Sequence, residues 1–354
     1  MYPILAVLEQ LVKENGLSHE VCYVGNASAL EADLAARVGL RFHEVATASL
    51  KGAAPWTLPS RLARVAWGAA QCARLIDSHS PQVVLATGGY VCAPMVLAAW
   101  LRGVPSLVYL PDLVPGLAIR ALSGLATRVA VSFPASQNSF APEKAVVTGY
   151  PVRAKLFEAD KSASRHRLGL KQGERTLLVF GGSQGAHSIN LAVSEVLTEL
   201  LEICQVVHIS GEADEPWLKA QKEQLPGSLA KRYSVYAYLH EQMIDALAAA
   251  DLVVARAGAA TTAEFPALAL PSILIPYPYA GQHQGLNADY MVKHGAAVKI
   301  YDADLPEGVL LGTVAKLFQD QQTLQSLAQS ASGLAQPEAA RRLAQVLREM
   351  ALPN

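Results

Sequence analysis

The 354 residues exceed what one hydrophobic core usually organises, so two domains are expected. A formal net charge of −1 argues against a nucleic-acid binder that works by neutralising phosphates, and no apolar run reaches the ~20 residues of a membrane-spanning helix. The four cysteines, Cys22, Cys72, Cys92 and Cys204, lack paired ligand spacing, which suggests neither a zinc site nor a disulfide framework and fits a reducing cytosol.

From Met1 the chain enters an amphipathic helix at once, with Ile4, Leu5, Val7, Leu8, Leu11 and Val12 on a helical period. A strand follows at Glu20 to Val24, a helix at Ala29 to Val38 and a short strand at Arg41 to Val45. After a loop, a helix is expected over Ser60 to Ser78, then the strand Val83 to Ala86 and a turn at Thr87-Gly88-Gly89. The helix Ala93 to Arg102, strand Ser106 to Tyr109, helix Leu117 to Leu125 and strand Arg128 to Ser132 complete the first half. The Gly and Pro of Gly149-Tyr150-Pro151-Val152-Arg153 break this alternation. Six further strands are expected at Thr176 to Phe180, Gln205 to Ile209, Ser234 to Tyr236, Leu252 to Val254, Ser272 to Ile275 and Ala297 to Ile300. Helices from about Pro306 to Phe318 and Gln322 to Met350 close the chain. Strands alternating with helices in both halves predict two α/β domains, each a doubly wound parallel sheet, with a cleft between their facing carboxyl edges.

Four motifs carry chemistry. Phe180-Gly181-Gly182-Ser183-Gln184-Gly185-Ala186 follows a strand and opens a helix, so backbone N–H groups there can approach a pyrophosphate, with Ser183 as an added donor. The spacing is neither a Walker loop nor G-x-G-x-x-G, and a structural tight turn remains the alternative. Between Arg256 and Glu264 a Gly-marked turn leads into a helix whose first turn carries the lone carboxylate Glu264, suited to a ribose diol. Gln282, His283, Gln284 and Asn287 then offer donors and acceptors to sugar hydroxyls, or else form a polar loop. Thr87-Gly88-Gly89-Tyr90 repeats the strand-to-glycine logic in the first half. Asp302-Ala303-Asp304 has no third ligand at metal spacing and reads as a solvated loop; no histidine pair suggests a metal.

Gly149 to Arg153, Gly181 to Ala186, Arg256 to Glu264 and Gln282 to Asn287 together resemble the bacterial MurG family of N-acetylglucosaminyltransferases, over essentially the whole chain. The resemblance implies the GT-B architecture of two facing Rossmann-like domains, and inverting transfer of GlcNAc from UDP-GlcNAc to undecaprenyl-pyrophosphoryl-MurNAc-pentapeptide in peptidoglycan synthesis. It implies no cofactor and no metal. It assigns residues 1–149 to acceptor binding and membrane association, 150–335 to UDP-GlcNAc binding, and 336–354 to a helix packing back on the first domain. On the donor side it places Ser183, Gly182 and Gly185 at the diphosphate, Glu264 at the ribose, Leu239 and Met243 at the uracil and Arg153 near the nucleotide; His283, Gln284 and Asn287 face the sugar. On the acceptor side it places the segment that holds Tyr109 and Asp112, while Thr87, Gly88 and Gly89 are expected there from the strand-to-glycine pattern alone.

Two departures from the family stand out. Its first strand and G-G-T-G-G-H loop have no counterpart ahead of Tyr2-Pro3-Ile4, so the family's His base is absent and the expectation is a start assigned too late. The acceptor motif reads Tyr109-Leu110-Pro111-Asp112-Leu113-Val114-Pro115-Gly116 instead of one opening His-Glu-Gln-Asn; Asp112 is then the candidate base, or a helix cap. Two segments suit the anionic cytoplasmic face of the cell membrane, Leu113 to Val131 with Arg120 and Arg128, and Ser60 to Ile76 with Arg61, Arg64, Trp67 and Arg74. Core-packing helices explain either segment slightly better, and the resemblance, with its polyprenyl-linked acceptor, brings Leu113 to Val131 level. The alternatives in function are a GT-B transferase with another lipid or small-molecule acceptor, and a catalytically silent nucleotide-sugar-binding protein.

Overall fold

The computed structural model describes residues 2–15, 21–26, 32, 35–49, 54–88, 90–182, 185–279 and 283–352. They form two compact units, Met1–Arg153 with Glu338–Asn354, and Ala154–Pro337.

The second unit is one six-stranded parallel sheet of β7 (Thr176–Phe180), β8 (Gln205–Ile209), β9 (Tyr233–Tyr236), β10 (Leu252–Ala255), β11 (Ser272–Leu274) and β12 (Ala297–Lys299). Its order is β12-β11-β10-β7-β8-β9. The chain starts in the middle, runs outward through β8 and β9, then returns to β10 on the other side of β7. The direction of winding therefore reverses between β7 and β10, the switch point at which doubly wound sheets open a crevice beyond their carboxyl ends. The two central strands are covered on both faces, which is why Leu177, Leu178, Val179, Leu252, Val253 and Val254 are all fully buried and form continuous apolar runs.

In the first unit the strands are β1 (Cys22–Gly25), β2 (Arg41–Glu44), β3 (Val84–Ala86), β4 (Ser106–Leu110), β5 (Arg128–Val131) and β6 (Ala145–Val147). The single sheet expected from the alternation is two among the described residues: a parallel pair β1-β2 and a parallel four-stranded sheet in the order β3-β4-β5-β6. Val24 of β1 nevertheless packs against the core cluster that holds Val84 of β3, so side chains join what backbone hydrogen bonds do not. The three residues of β6 were not expected, being too short to show a period. The expected helix Ala29 to Val38 lies partly outside the described residues.

The end of the chain is more broken than its periodicity suggests. A 3-10 turn over Asp302–Glu307 and Gly308, at φ 70°, precede the helix Val309–Gln319. The expected closing helix is two, Gln321–Gly333 and Ala339–Ala351, with Pro337 between them. The last belongs to the first unit, where it packs against the helix Tyr2–Asn15. Arg342 donates to the Thr148 carbonyl at 2.9 Å and Arg128 pairs with Glu349 at 3.3 Å.

Candidate functional site

Parallel pairing of Ala255 with Phe180 ends β10 and β7 side by side, so the loops that follow them share the switch point. After β7 the glycines are demanded by space and by backbone angle. A Cβ on Gly181 would run into Ala186, and one on Gly185, at φ +78°, into the Ser210 carbonyl oxygen; Gly182 adopts φ +97°. The loop closes with Gly185 N–H on the Gly182 carbonyl at 3.1 Å and leads directly into the helix His187–Glu195. Backbone N–H groups of such a helix start suit an anion. Ser183 and Gln184 lie outside the described residues.

After β10, Gly258 precedes the helix Thr261–Ala267, which carries half-buried Glu264 in its first turn. The Thr261 and Thr262 hydroxyls donate to the Gly258 and Ala259 carbonyls at 2.7 Å each, and fully buried Phe265 packs edge-on against Phe180, 6.0 Å between centroids. Glu264 thus lies on the helix that follows β10, the strand paired with β7.

Arg256, which sequence reasoning did not single out, is the fastener of this end of the sheet. Its buried guanidinium donates to the Ile275 and Pro276 carbonyls, to Asp302 at 2.8 Å and to the Ser188 hydroxyl at 2.8 Å, and Ser188 donates to Asp302 at 2.7 Å. This corrects the reading of Asp302 as part of a solvated loop: its carboxylate side chain is only 12% exposed and paired. No spacing rule joins residues 188, 256 and 302.

The third edge of the site is the start of the helix His283–Lys293. Gln284 accepts the Tyr277 N–H at 2.9 Å, and the donor end of its amide makes no hydrogen bond among the described residues. Buried Nδ1 of His283 also has no partner among them. Asn287 is placed differently: it is fully buried and donates to the Ala257 carbonyl at 3.1 Å, holding the loop before Glu264. Leu239 is buried just beyond β9, and Met243 opens the helix Met243–Ala249 half-exposed. Gln282 lies outside the described residues.

Beneath the glycine loop runs a polar network that no motif announced. Asn190 donates to the Ser210 carbonyl at 2.8 Å and to Asp214 at 2.7 Å, and its carbonyl accepts from His208 Nε2 at 2.9 Å. His208 Nδ1 accepts the Tyr233 hydroxyl at 2.8 Å. Burial pushes His208 down to about 4, so it is neutral, as this bonding requires. Burial would raise Asp214, but hydrogen bonds from Trp217, Asn190 and His187 outweigh it and hold the carboxyl below its ordinary range.

In the first unit, Thr87 and Gly88, the latter at φ +88°, follow β3 directly; Gly89 lies outside the described residues. Asp112 stands half-buried two residues beyond β4, and Gly116, not Asp112, occupies the cap position of the helix Leu117–Leu125. Tyr109 is sealed in the core, its hydroxyl bonded to Ser132 at 2.8 Å, and burial pushes its phenol far up, so it titrates nothing near neutrality. Arg153 ends the first of the two chain segments that make up the unit. A cavity of about 1010 Å³, lined among others by Glu44, Thr47, Arg61, Arg64, Gln71 and Tyr90, opens beside the Thr87 turn through Tyr90. Arg61 and Arg64 enter it from one turn of the helix Leu58–His79.

Two parallel α/β units, one with an anion-ready glycine loop and a carboxylate at its switch point, define a GT-B glycosyltransferase. Residues 1–131 match the glycosyltransferase family 28 N-terminal domain and residues 176–345 its C-terminal domain. A UDP-N-acetylglucosamine–N-acetylmuramyl-(pentapeptide) pyrophosphoryl-undecaprenol N-acetylglucosamine transferase of Roseiflexus sp. (strain RS-1) is 41% identical over 93% of this chain and 83% of its own. That of Desulforudis audaxviator is 39% identical over 99% and 95%. The crystal structure of Acinetobacter baumannii MurG superposes with a TM-score of 0.71 at 25% identity, covering 98% of this chain and 95% of that one. The chain belongs to glycosyltransferase family 28 and, within it, to the MurG family.

Proposed function

We propose that this protein transfers N-acetylglucosamine from UDP-N-acetylglucosamine to undecaprenyl-pyrophosphoryl-N-acetylmuramyl-pentapeptide, the reaction its relatives' names describe. The observation that carries the donor half is the pairing of β7 with β10, which sets the glycine loop and Glu264 at one switch point. In this reading Gly182, Ser183 and Gly185 bind the diphosphate at the start of the helix His187–Glu195, and Glu264 accepts from the ribose hydroxyls. Leu239 and Met243 border the uracil, with Arg153 assigned near the nucleotide. His283 and Gln284 face the sugar, while Asn287 acts by holding Ala257. The acceptor hydroxyl attacks the anomeric carbon in line, Asp112 takes its proton, and the helix start stabilises the departing UDP.

In the acceptor unit, the two guanidinium groups of Arg61 and Arg64 suit a pyrophosphate, since charge-assisted donors on planar forks match its oxygens. The same helix and the turn before it carry Trp56, Leu58, Leu62 and Trp67, exposed by 82, 36, 53 and 55%. Apolar side chains among cations support peripheral attachment to an anionic membrane surface. The segment Leu113 to Val131 supports it less, because Ile119 and Leu122 are core residues and Leu117 is the one large apolar side chain widely exposed on its helix. No described helix is long and apolar enough to cross a membrane.

The test is Glu264→Ala. Loss of a charge-assisted pair to the ribose costs about 1.5–3 kcal/mol, roughly a 10- to 150-fold weaker UDP affinity by calorimetric titration, with the circular dichroism spectrum unchanged. Undiminished affinity for UDP overturns the donor assignment.

A further inference from the structure

We propose that Cys22, His43 and His79 form a binding site for a thiophilic divalent cation, Zn²⁺, in the first unit. One ligand atom from each residue lies within 4.8 Å of the other two. The three come from different elements: Cys22 from β1, His43 from β2 and His79 from the last turn of the helix Leu58–His79. The register brings the first two together. Cys22 pairs with Arg41 and Val24 with His43, so Cys22 and His43 are diagonal neighbours on one face of the parallel pair. The helix lays His79 over that face, with the His43 and His79 rings edge to face at 5.2 Å between centroids.

The donor atoms are of the right kind. His79 Nδ1 contacts the Leu75 carbonyl at 3.1 Å and the Ser78 hydroxyl at 2.8 Å. Donation to that carbonyl leaves Nε2 as a lone pair, the backbone-oriented imidazole common at metal sites. His43 Nε2 is buried and has no hydrogen-bond partner among the described residues, an expensive state for a polar atom that a metal ion relieves. Cys22 is a free thiol, half-buried. The cation also sits at a helix carboxyl terminus, where the backbone dipole favours positive charge.

Tetrahedral zinc with bonds of about 2.3 Å to sulfur and 2.0–2.1 Å to nitrogen keeps its ligands about 3.3–3.6 Å apart, so the cluster closes by about 1 Å on binding. Half-buried and exposed side chains permit that movement. Binding releases the thiol proton to solvent, and three protein ligands leave a fourth position for water. The ion ties the two-stranded sheet, which has no third strand among the described residues, to the helix that bears Arg61 and Arg64. A two-stranded sheet is marginal by itself, so this tie is a structural one with leverage on the cavity those arginines line.

The test uses the full chain, reduced, stripped with a chelator and titrated with Co²⁺ as a spectroscopic stand-in for zinc. We expect one equivalent to bind with tetrahedral visible bands and a thiolate-to-cobalt charge-transfer band, and one equivalent of Zn²⁺ to displace it. C22S removes the charge-transfer band. H79Q, which changes an exposed ring and leaves the fold intact, weakens binding at least ~10-fold and abolishes the rise in Tm that Zn²⁺ produces in the parent. Zn²⁺ also slows the reaction of one thiol with a maleimide in the parent and not in H79Q. Absence of stoichiometric binding, or binding unchanged in H79Q, overturns the proposal even if C22S fails to fold.

Discussion

At the level of single residues, the positions that bear on function divide into those whose chemistry is local and those whose chemistry is conferred by neighbours. Gly185 is of the first kind, and Gly185→Ala combines a left-handed backbone with collision against the Ser210 carbonyl. It is expected to cost about 1–3 kcal/mol in chemical denaturation and, on the proposed donor assignment, to weaken UDP binding, because the loop must shift. His208 is of the second kind. Its folded value of about 4 lies below the ordinary 6.5, so the unfolded chain binds the proton more readily. Its contribution to stability is therefore complete above about pH 6.5 and lost as pH falls toward 4, by up to about 3 kcal/mol. Denaturation midpoints measured across that window are expected to fall with pH, and His208→Gln to flatten the slope. Glu264 and the glycines stood out as candidates because a lone carboxylate follows a strand and turn and glycines precede a helix, features that a capped helix and a tight turn share. The burial of Tyr109 and the inward amide of Asn287 were not legible: a residue letter does not say which face of its element it occupies.

Among elements, agreement follows length and environment. The six strands of the second unit were read within one residue at each end, because the buried central strands are near-continuous apolar runs and the outer ones short apolar segments set between helices. The last helices were not, since Gly308 and Pro337 interrupt an otherwise continuous period. The loop after the helix Thr261–Ala267 contains Ala269 at φ 50°, a left-handed conformation that costs an alanine but not a glycine. Ala269→Gly is expected to raise stability by about 0.5–1 kcal/mol with no change in UDP affinity, and a thermal unfolding series reads both. In the first unit, Arg61→Ala with Arg64→Ala is expected, on the proposed acceptor assignment, to raise the KM for the lipid acceptor at least ~10-fold while leaving UDP binding as it was. A parallel loss of UDP affinity counts against a pyrophosphate in that cavity.

For the whole molecule, the two units differ in how the chain builds them. The second is continuous from Ala154 to Pro337, whereas the first needs Glu338–Asn354 to return to it. Leu343, Ala344 and Leu347 of the helix Ala339–Ala351 are buried. Truncation after Pro337 uncovers the face they occupy, so it is expected to lower the unfolding transition of the first unit and leave that of the second, and its UDP binding, in place. Calorimetry with and without UDP separates the two. By itself the sequence determined the alternation of strands and helices, hence two parallel α/β units, and the positions of the glycine loop and carboxylate proposed to hold the nucleotide sugar, because period and backbone demand are written into neighbouring letters. Only the tertiary structure decided which distant residues meet: Ser188, Arg256 and Asp302 at the switch point, Asn190, His208 and Asp214 beneath it, and Cys22, His43 and His79 on the first pair of strands. Those meetings depend on sheet order and register, which are fixed by packing across the whole core and leave no periodic trace along the chain.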